Sequence, residues 1–258
     1  MTTDNPPEVK IITINIETPD GKLPTAKVKI PDIPMGLANL VPPMQQLCNG
    51  IVELAIKREI ASGSAISCKK GCGVCCCQLV PLSAPEAFFL YGYIKSLPTE
   101  RRTIIESRFN EIRKAMDSAG IIERLLKIED TKEHKVLAWD YFKLAMPCPF
   151  LEDSSCSIHP IRPFACREYN VTSPAELCVD PFNNKIQRIK IPRNMTTATA
   201  RLSADLCGVP PTLIPMTLLL EWVTENEAVG RLTWSGIWLF ERMLEYATGT
   251  ELEDKEEL

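Results

Sequence analysis

The sequence predicts a mainly α chain with a small β portion, an N-terminal β-hairpin, and irregular cysteine-rich loops between the helices. Three observations carry that expectation. Apolar residues recur at helical spacing through most of the chain beyond residue 40. Strand-like alternation is confined to residues 8–30. Five of the eleven cysteines fall between Cys68 and Cys77, in a stretch with no period of its own.

The chain of 258 residues has 45% hydrophobic and 24% charged residues, a composition usual for globular domains and able to build a core without disulfides. A formal net charge of -4 and the lack of a basic stripe argue against nucleic acid as a partner. No basic-then-apolar leader opens the chain, and no run of about 18 apolar residues suggests a membrane span. The expectation is a cytoplasmic protein, in a reducing compartment where clustered cysteines are ligands or redox groups more often than disulfides.

In order along the chain, two β-branched runs flank Pro19-Asp20-Gly21 and predict a hairpin over 8–30, with one buried face on Ala26-Lys-Val28-Lys-Ile30. From Leu40 to Ser62 the spacing of Leu47, Ile51, Leu54 and Ala55 is helical, and Ser62-Gly63-Ser64 stops the helix. Ser83, with Pro85 and Glu86, opens a helix to about Ser96. Pro98-Thr99 opens a longer one to about Ala119. Its charges, Arg101, Arg102, Glu106, Arg108, Glu111 and Arg113, predict a solvated face. Helices follow at Ile121–Ile128 and Lys132–Ala145, the latter with Trp139 and Phe142 as core anchors. The stretch 146–170 has prolines at 147, 149, 160 and 163, which break any helix. Asn183–Ile191 predicts a short strand or hairpin. Thr196–Cys207, Ile214–Asn226 and Trp234–Ala247 predict helices, the last with Ile237, Leu239, Phe240 and Leu244 as its apolar side.

The cysteine pattern points to a metal. Soft thiolate sulfur selects zinc, copper(I) or iron–sulfur clusters. Cys72-Gly-Val-Cys75 has the spacing that brings two sulfurs to one metal atom, and Cys68 offers a third. Gly71 and Gly73 are expected to supply the unusual backbone angles of such a turn. Three successive cysteines point in different directions, so Cys75 and Cys76 are read as ligands and Cys77 as a buried thiol. Cys148, Cys156 and Cys166 recur in the proline-rich segment, where Arg162 and Arg167 offset thiolate charge, bind an acidic substrate, or pair with Glu152, Asp153 or Glu168. The two segments should therefore meet in space as metal loops. The expected organisation is a hairpin and connector at 1–34, a helical metal-binding domain at 35–250 with its cysteine core at 65–170, and an acidic tail at 251–258.

Cys68-x3-Cys72-Gly-x-Cys75-Cys76, followed by Cys148-Pro-Phe-Leu, Cys156-x-Ile-His, Arg162-Pro and Cys166-Arg, resembles the bacterial YkgJ-type cysteine-cluster family, described as a zinc- or iron-chelating domain. The resemblance spans roughly 65–170 and implies Cys68, Cys72, Cys75, Cys76, Cys148, Cys156 and Cys166 as the cluster positions. His159 stands where relatives often have tyrosine, and Cys77 is additional. A related branch, the flagellin lysine methylases, implies an alternative: a protein-modifying enzyme that uses S-adenosylmethionine and a protein substrate. No glycine fingerprint for a nucleotide accompanies it.

The leading expectation is a metal-binding protein holding a thiolate-ligated iron–sulfur or zinc centre with a redox or metal-handling role. Iron–sulfur is favoured because thiols are many and histidines only two, His134 and His159. A radical S-adenosylmethionine enzyme would need repeated strand–helix units and an aromatic residue where Val74 stands. A redox dithiol at Cys72 and Cys75 is the other competitor.

Overall fold

The structure, a computed structural model, describes residues 9–18, 20–127 and 131–248. Pro19 of the expected turn, Ile128 and the acidic tail lie outside them. Ten α-helices are present among the described residues, together with five short antiparallel strand pairs. The chain is mainly α with a small β portion, as the periodicity predicts.

Val9–Ile14 pairs with Ala26–Pro31, Ile12 opposite Val28. A nested pair, Glu17–Thr18 with Gly21–Lys22, closes the hairpin. Its covered face carries Ile30 and the half-buried Ile12, Ile14 and Val28, which join one core cluster with α1 (Val41–Ala61) and α10 (Gly236–Thr248). Helix α10 buries Gly236, Leu239, Phe240, Met243 and Ala247 along one stripe. Each large aliphatic or aromatic side chain so buried contributes about 1.5–3 kcal/mol. Trp234–Ser235, expected as the first turn of this helix, is instead a strand paired with Pro34–Met35. Backbone pairing there wins over helical propensity because Gly236 must pass 2.7 Å from the Pro31 carbonyl, measured from where its Cβ would be.

Helix α1 starts with Pro42 and Pro43 in its first turn, where a missing N–H is harmless, and ends at Ser62, as expected. Gly63, at φ 88°, turns the chain out of the helix toward the cysteines. Helix α2 (Ala84–Ser96) begins at the capping Ser83. Helices α3 (Thr99–Ser118), α4 (Ile121–Lys127) and α5 (Thr131–Lys143) follow. The buried residues of α5 are Leu137 and Tyr141. Trp139 and Phe142 are only half-buried and stack on each other and on Phe182, so they are not the core anchors the sequence suggests. A helix pattern with apolar residues at 136, 137, 139, 141 and 142 leaves two faces to choose between, and α3 with α4 covers the one bearing Leu137 and Tyr141.

The charged face of α3 is not merely solvated. Arg101 and Arg108 both pair with Glu152, and Arg108 Nη1 donates to the Pro149 carbonyl at 3.0 Å. Arg113 pairs with Glu221 at 2.8 Å. Half-exposed pairs are worth under about 1 kcal/mol each, but two of them fasten the second cysteine segment to α3. That segment contains one short helix, α6 (Phe164–Glu168), which starts just after the last proline.

Asn183–Ile191 forms no strand among the described residues. It is an extended segment with one bridge, Val171 to Arg188, flanked by Thr172 N–H on the Gln187 carbonyl and Ile189 N–H on the Asn170 carbonyl. Helix α7 (Met195–Cys207) is as expected. The run from Ile214 begins as a strand paired with Pro81–Leu82, passes through a 3₁₀ turn, and becomes α8 (Leu219–Glu225) only later. Helix α9 (Glu227–Gly230) is a single turn.

Candidate metal centre

Ser67 N–H on the Val171 carbonyl, at 2.9 Å, anchors the entry to the first loop. Gly71 then takes φ 84° and Cys72 N–H closes on the Lys69 carbonyl. Val74–Cys77 is a 3₁₀ turn. Three residues per turn send successive side chains about 120° apart, so Cys75, Cys76 and Cys77 diverge. Gly73, at φ -100°, has an ordinary backbone. It does not supply an unusual angle, contrary to expectation. Its need for a missing side chain is one of space: a Cβ there would stand 2.7 Å from Leu151 Cδ1 and 3.0 Å from the Ser154 carbonyl oxygen.

Those contacts mean the second loop lies on the first. Cys148 N–H donates to the Cys76 carbonyl at 2.7 Å. Leu151–Glu152 and Ser155–Cys156 form a tight hairpin, Leu151 opposite Cys156. Its tip uses two left-handed residues, Asp153 at φ 46° and Ser154 at φ 59°, the geometry of a two-residue hairpin turn. The chain then reaches α6, which carries Cys166.

Buried carboxyls and an arginine hold α6 in place. Glu86 Oε1 accepts from Phe164 N–H at 2.7 Å. Glu168 Oε1 accepts from Met195 N–H at 2.6 Å and its Oε2 from the Asn194 amide at 2.8 Å, tying α6 to α7. Arg167 donates from Nε to the Arg162 carbonyl, from Nη2 to the Pro160 carbonyl and from Nη1 to Asn49 of α1. Burial pushes Glu86 and Glu168 up to about 7.

The expected pairing of the arginines with Glu152, Asp153 or Glu168 is not what occurs. Glu152 goes to α3. Arg167 holds backbone carbonyls and an amide, because its loop turns those groups inward. Arg162 makes no salt bridge among the described residues, and its Nε is buried without a hydrogen-bond partner.

The thiols gather around Cys75. An ionised Cys75 would act on Cys68 and Cys178 and also on Cys148, Cys156 and Cys166. Cys72 belongs with the first group, acting on Cys68 and Cys178. Hydrogen bonding with Cys76 and then burial raise the Cys75 thiol far above its ordinary value. Burial pushes Cys148 up to about 12 and Cys166 well above 9.0. Cys68, Cys156 and Cys77 are raised for the same reason. Cys77 is half-buried, not buried, and lies toward Tyr141 and Cys148. Arg162 lowers Cys68, Cys75, Cys156 and Cys166, so its side chain lies near them. His159 is exposed and its ring is pushed down by burial and by Arg162.

Cys178 was not singled out by the sequence. It is 4% exposed, on a 3₁₀ turn (Ala175–Val179) that packs against the Val74–Cys77 turn. It lies just beyond the proline-rich segment with no second cysteine beside it, which hides it; only Pro174, which opens the turn, hints at order there. Cys48 is buried in α1 beside Glu168, and burial alone shifts Cys207 at the end of α7.

Among the described residues no three His, Cys, Asp or Glu side chains converge as ligands of one ion. Zinc–sulfur bonds of about 2.3 Å would put tetrahedral thiolates about 3.8 Å apart. Thiols shared over a polynuclear cluster stand wider. The donors present are soft, more than four in number, and accompanied by an arginine whose Nε is buried without a partner, so they fit a thiolate-ligated cluster better than a closed single-zinc site. No family model, no curated protein and no solved structure matches the chain. The fold and site thus define a class by chemistry alone: a helical frame closing two cysteine loops on one another.

Proposed function

We propose that this chain holds a thiolate-ligated metal centre, iron–sulfur in preference to zinc, with a redox or metal-handling role. One observation carries the reading: Arg162, its Nε buried without a partner, lies among thiols drawn from both cysteine loops. Leaving such a buried donor unpaired costs about 1–3 kcal/mol. Ligated thiolates carry the negative charge that would repay it. The cluster, when bound, would supply one-electron exchange or a store of metal. Cys68, Cys72, Cys75, Cys76, Cys148, Cys156 and Cys166 are the candidate ligands, and Cys178 joins them on position. Until a metal displaces their protons, burial favours the neutral form of Cys68, Cys148, Cys156 and Cys166. Arg167, Glu86 and Glu168 hold the loop rigid around them.

The radical alternative needs repeated strand–helix units. The sheets among the described residues are all two-stranded and antiparallel, which gives it no support.

Purification without oxygen, followed by iron, zinc and sulfide analysis and a visible spectrum, tests the reading. Broad absorption near ~400 nm with iron and sulfide is the expected result. A protein that holds neither iron nor zinc, even after reconstitution, would end it. Cys75→Ser should abolish loading, since Cys75 stands between both groups of thiols. Cys178→Ser should lower it by at least about half, while Cys207→Ser should leave it unchanged. Equal metal content in all three variants would show that the loops are not the site.

A further inference from the structure

A cavity of 280 Å³ opens beside the cysteine loops, lined by Cys75 and Cys166. Leu79, Val80, Pro81 and Leu213 give it an apolar part, and the first turn of α7 gives it a polar one. A hollow of 420 Å³ adjoins it and shares Gln78, Tyr169 and Arg188. Binding sites of this kind are mostly apolar, with a few placed polar groups.

Arg188 stands at the junction. Its guanidinium lies 4.6 Å from the centre of the Tyr169 ring. Gln78 Nε2 donates to the Tyr169 hydroxyl at 3.4 Å. The bridge to Val171 and the bonds of Gln187 and Ile189 fix the backbone on either side. An exposed arginine ordinarily keeps its rotamer freedom; this one is stacked and anchored, yet makes no salt bridge among the described residues. The nearby acid, Glu168, already spends both oxygens on Met195 N–H and the Asn194 amide.

The polar wall agrees in sign. Met195 N–H is taken by Glu168 and Thr197 N–H by Asn194. Thr196, between them, sits at the second helical position, where no carbonyl of the helix can reach its N–H. Its hydroxyl is buried without a partner. The positive end of the α7 dipole favours an anion here. An arginine fork matches a carboxylate in two parallel hydrogen bonds.

We propose that this cavity binds a small aliphatic monocarboxylate, its head paired with Arg188 and its chain laid along Leu79, Val80, Pro81 and Leu213 toward Cys75 and Cys166. The proposal goes beyond the metal reading and does not need it, because Arg188 and the apolar wall of Leu79, Val80, Pro81 and Leu213 stand apart from the thiols.

Calorimetric titration of the full chain with hexanoate tests it, with hexanamide as the uncharged control. Hexanoate should bind, and hexanamide should bind at least about tenfold more weakly, the worth of one charge-assisted pair. Arg188→Met keeps length and apolar contact with Tyr169 but should lose about tenfold for hexanoate. Lys185→Met, which lines only the outer hollow, should bind as the parent does. Absence of hexanoate binding, equal affinity for the amide, or an unchanged Arg188→Met would overturn the proposal. So would an equal loss from Lys185→Met, which would reveal a diffuse basic surface only. Metal analysis of the same samples keeps failure of this proposal separate from failure of the metal reading.

Discussion

At about pH 4, replacing Glu86 by alanine is expected to cost about 3 kcal/mol of stability, and at about pH 8 almost none. Glu86 is 1% exposed. Its Oε2 accepts from the Ser83 N–H and hydroxyl at 2.9 and 2.7 Å, and its Oε1 from Phe164 N–H. Alanine removes a helix cap worth about 1 kcal/mol and orphans a buried amide at about 2 kcal/mol. The pH dependence comes from burial, which raises the carboxyl from 4.5 to about 7 against the opposing pull of its donors and of Arg167. A raised carboxyl contributes stability that is complete below its unfolded value of 4.5 and is lost as pH rises through about 7. That interval corresponds to about 3 kcal/mol, enough to offset the lost hydrogen bonds once the charge forms. Arg167, Cys48 and Glu168 face Glu86 and are present in both proteins, so their own titration largely cancels in the difference. Urea unfolding of parent and Glu86→Ala at the two pH values decides it. A cost equal at both would refute the buried titration, and no cost at the lower pH would refute the pin.

How far this was readable from the sequence depends on range. Ser83, Pro85 and Glu86 announce a helix start because a cap acts within four residues, and α2 begins there. That the other oxygen of Glu86 reaches Phe164 is a contact across 78 positions, for which no local pattern exists. The convergence of two cysteine segments was legible because both are dense in the same unusual residue and the helices between them are long enough to fold back. Cys178 was not, being single and outside both segments. Ile214–Pro215 and Trp234–Ser235 read as helix from their apolar content, but each found a two-residue strand partner, Pro81–Leu82 and Pro34–Met35. Arg101 and Arg108 looked like surface charge because their partner Glu152 lies beyond two further helices. Arg162 shows the opposite case: the sequence marked it as a cation near thiols, and only the fold reveals that its buried Nε has no partner among the described residues.

Gly73→Ala should part the two cysteine loops, whereas Gly71→Ala should not, although both replace a glycine in one turn. A Cβ on Gly73 meets Leu151 Cδ1 at 2.7 Å and the Ser154 carbonyl oxygen and carbon at 3.0 and 3.4 Å. Leu151 can shift its side chain, but Ser154 is backbone at the tip of a hairpin held by the Leu151–Cys156 register and by Glu152 on α3. Relief therefore has to come from moving one loop off the other, at about 2 kcal/mol for such overpacking. Around Gly71 a Cβ meets only Ser155 Oγ, at 3.9 Å, and the cost is the φ of 84° itself, about 1 kcal/mol of local strain. The two changes then differ little in stability but greatly at the seam. Amide exchange of Cys148, whose N–H is bonded to the Cys76 carbonyl, reads the seam directly. Its protection should collapse toward that of an open loop in Gly73→Ala and persist in Gly71→Ala, with metal retention following the same order. Protection kept in Gly73→Ala would mean that the hairpin tip yields instead, and that the close approach of the two loops is not what positions the thiols.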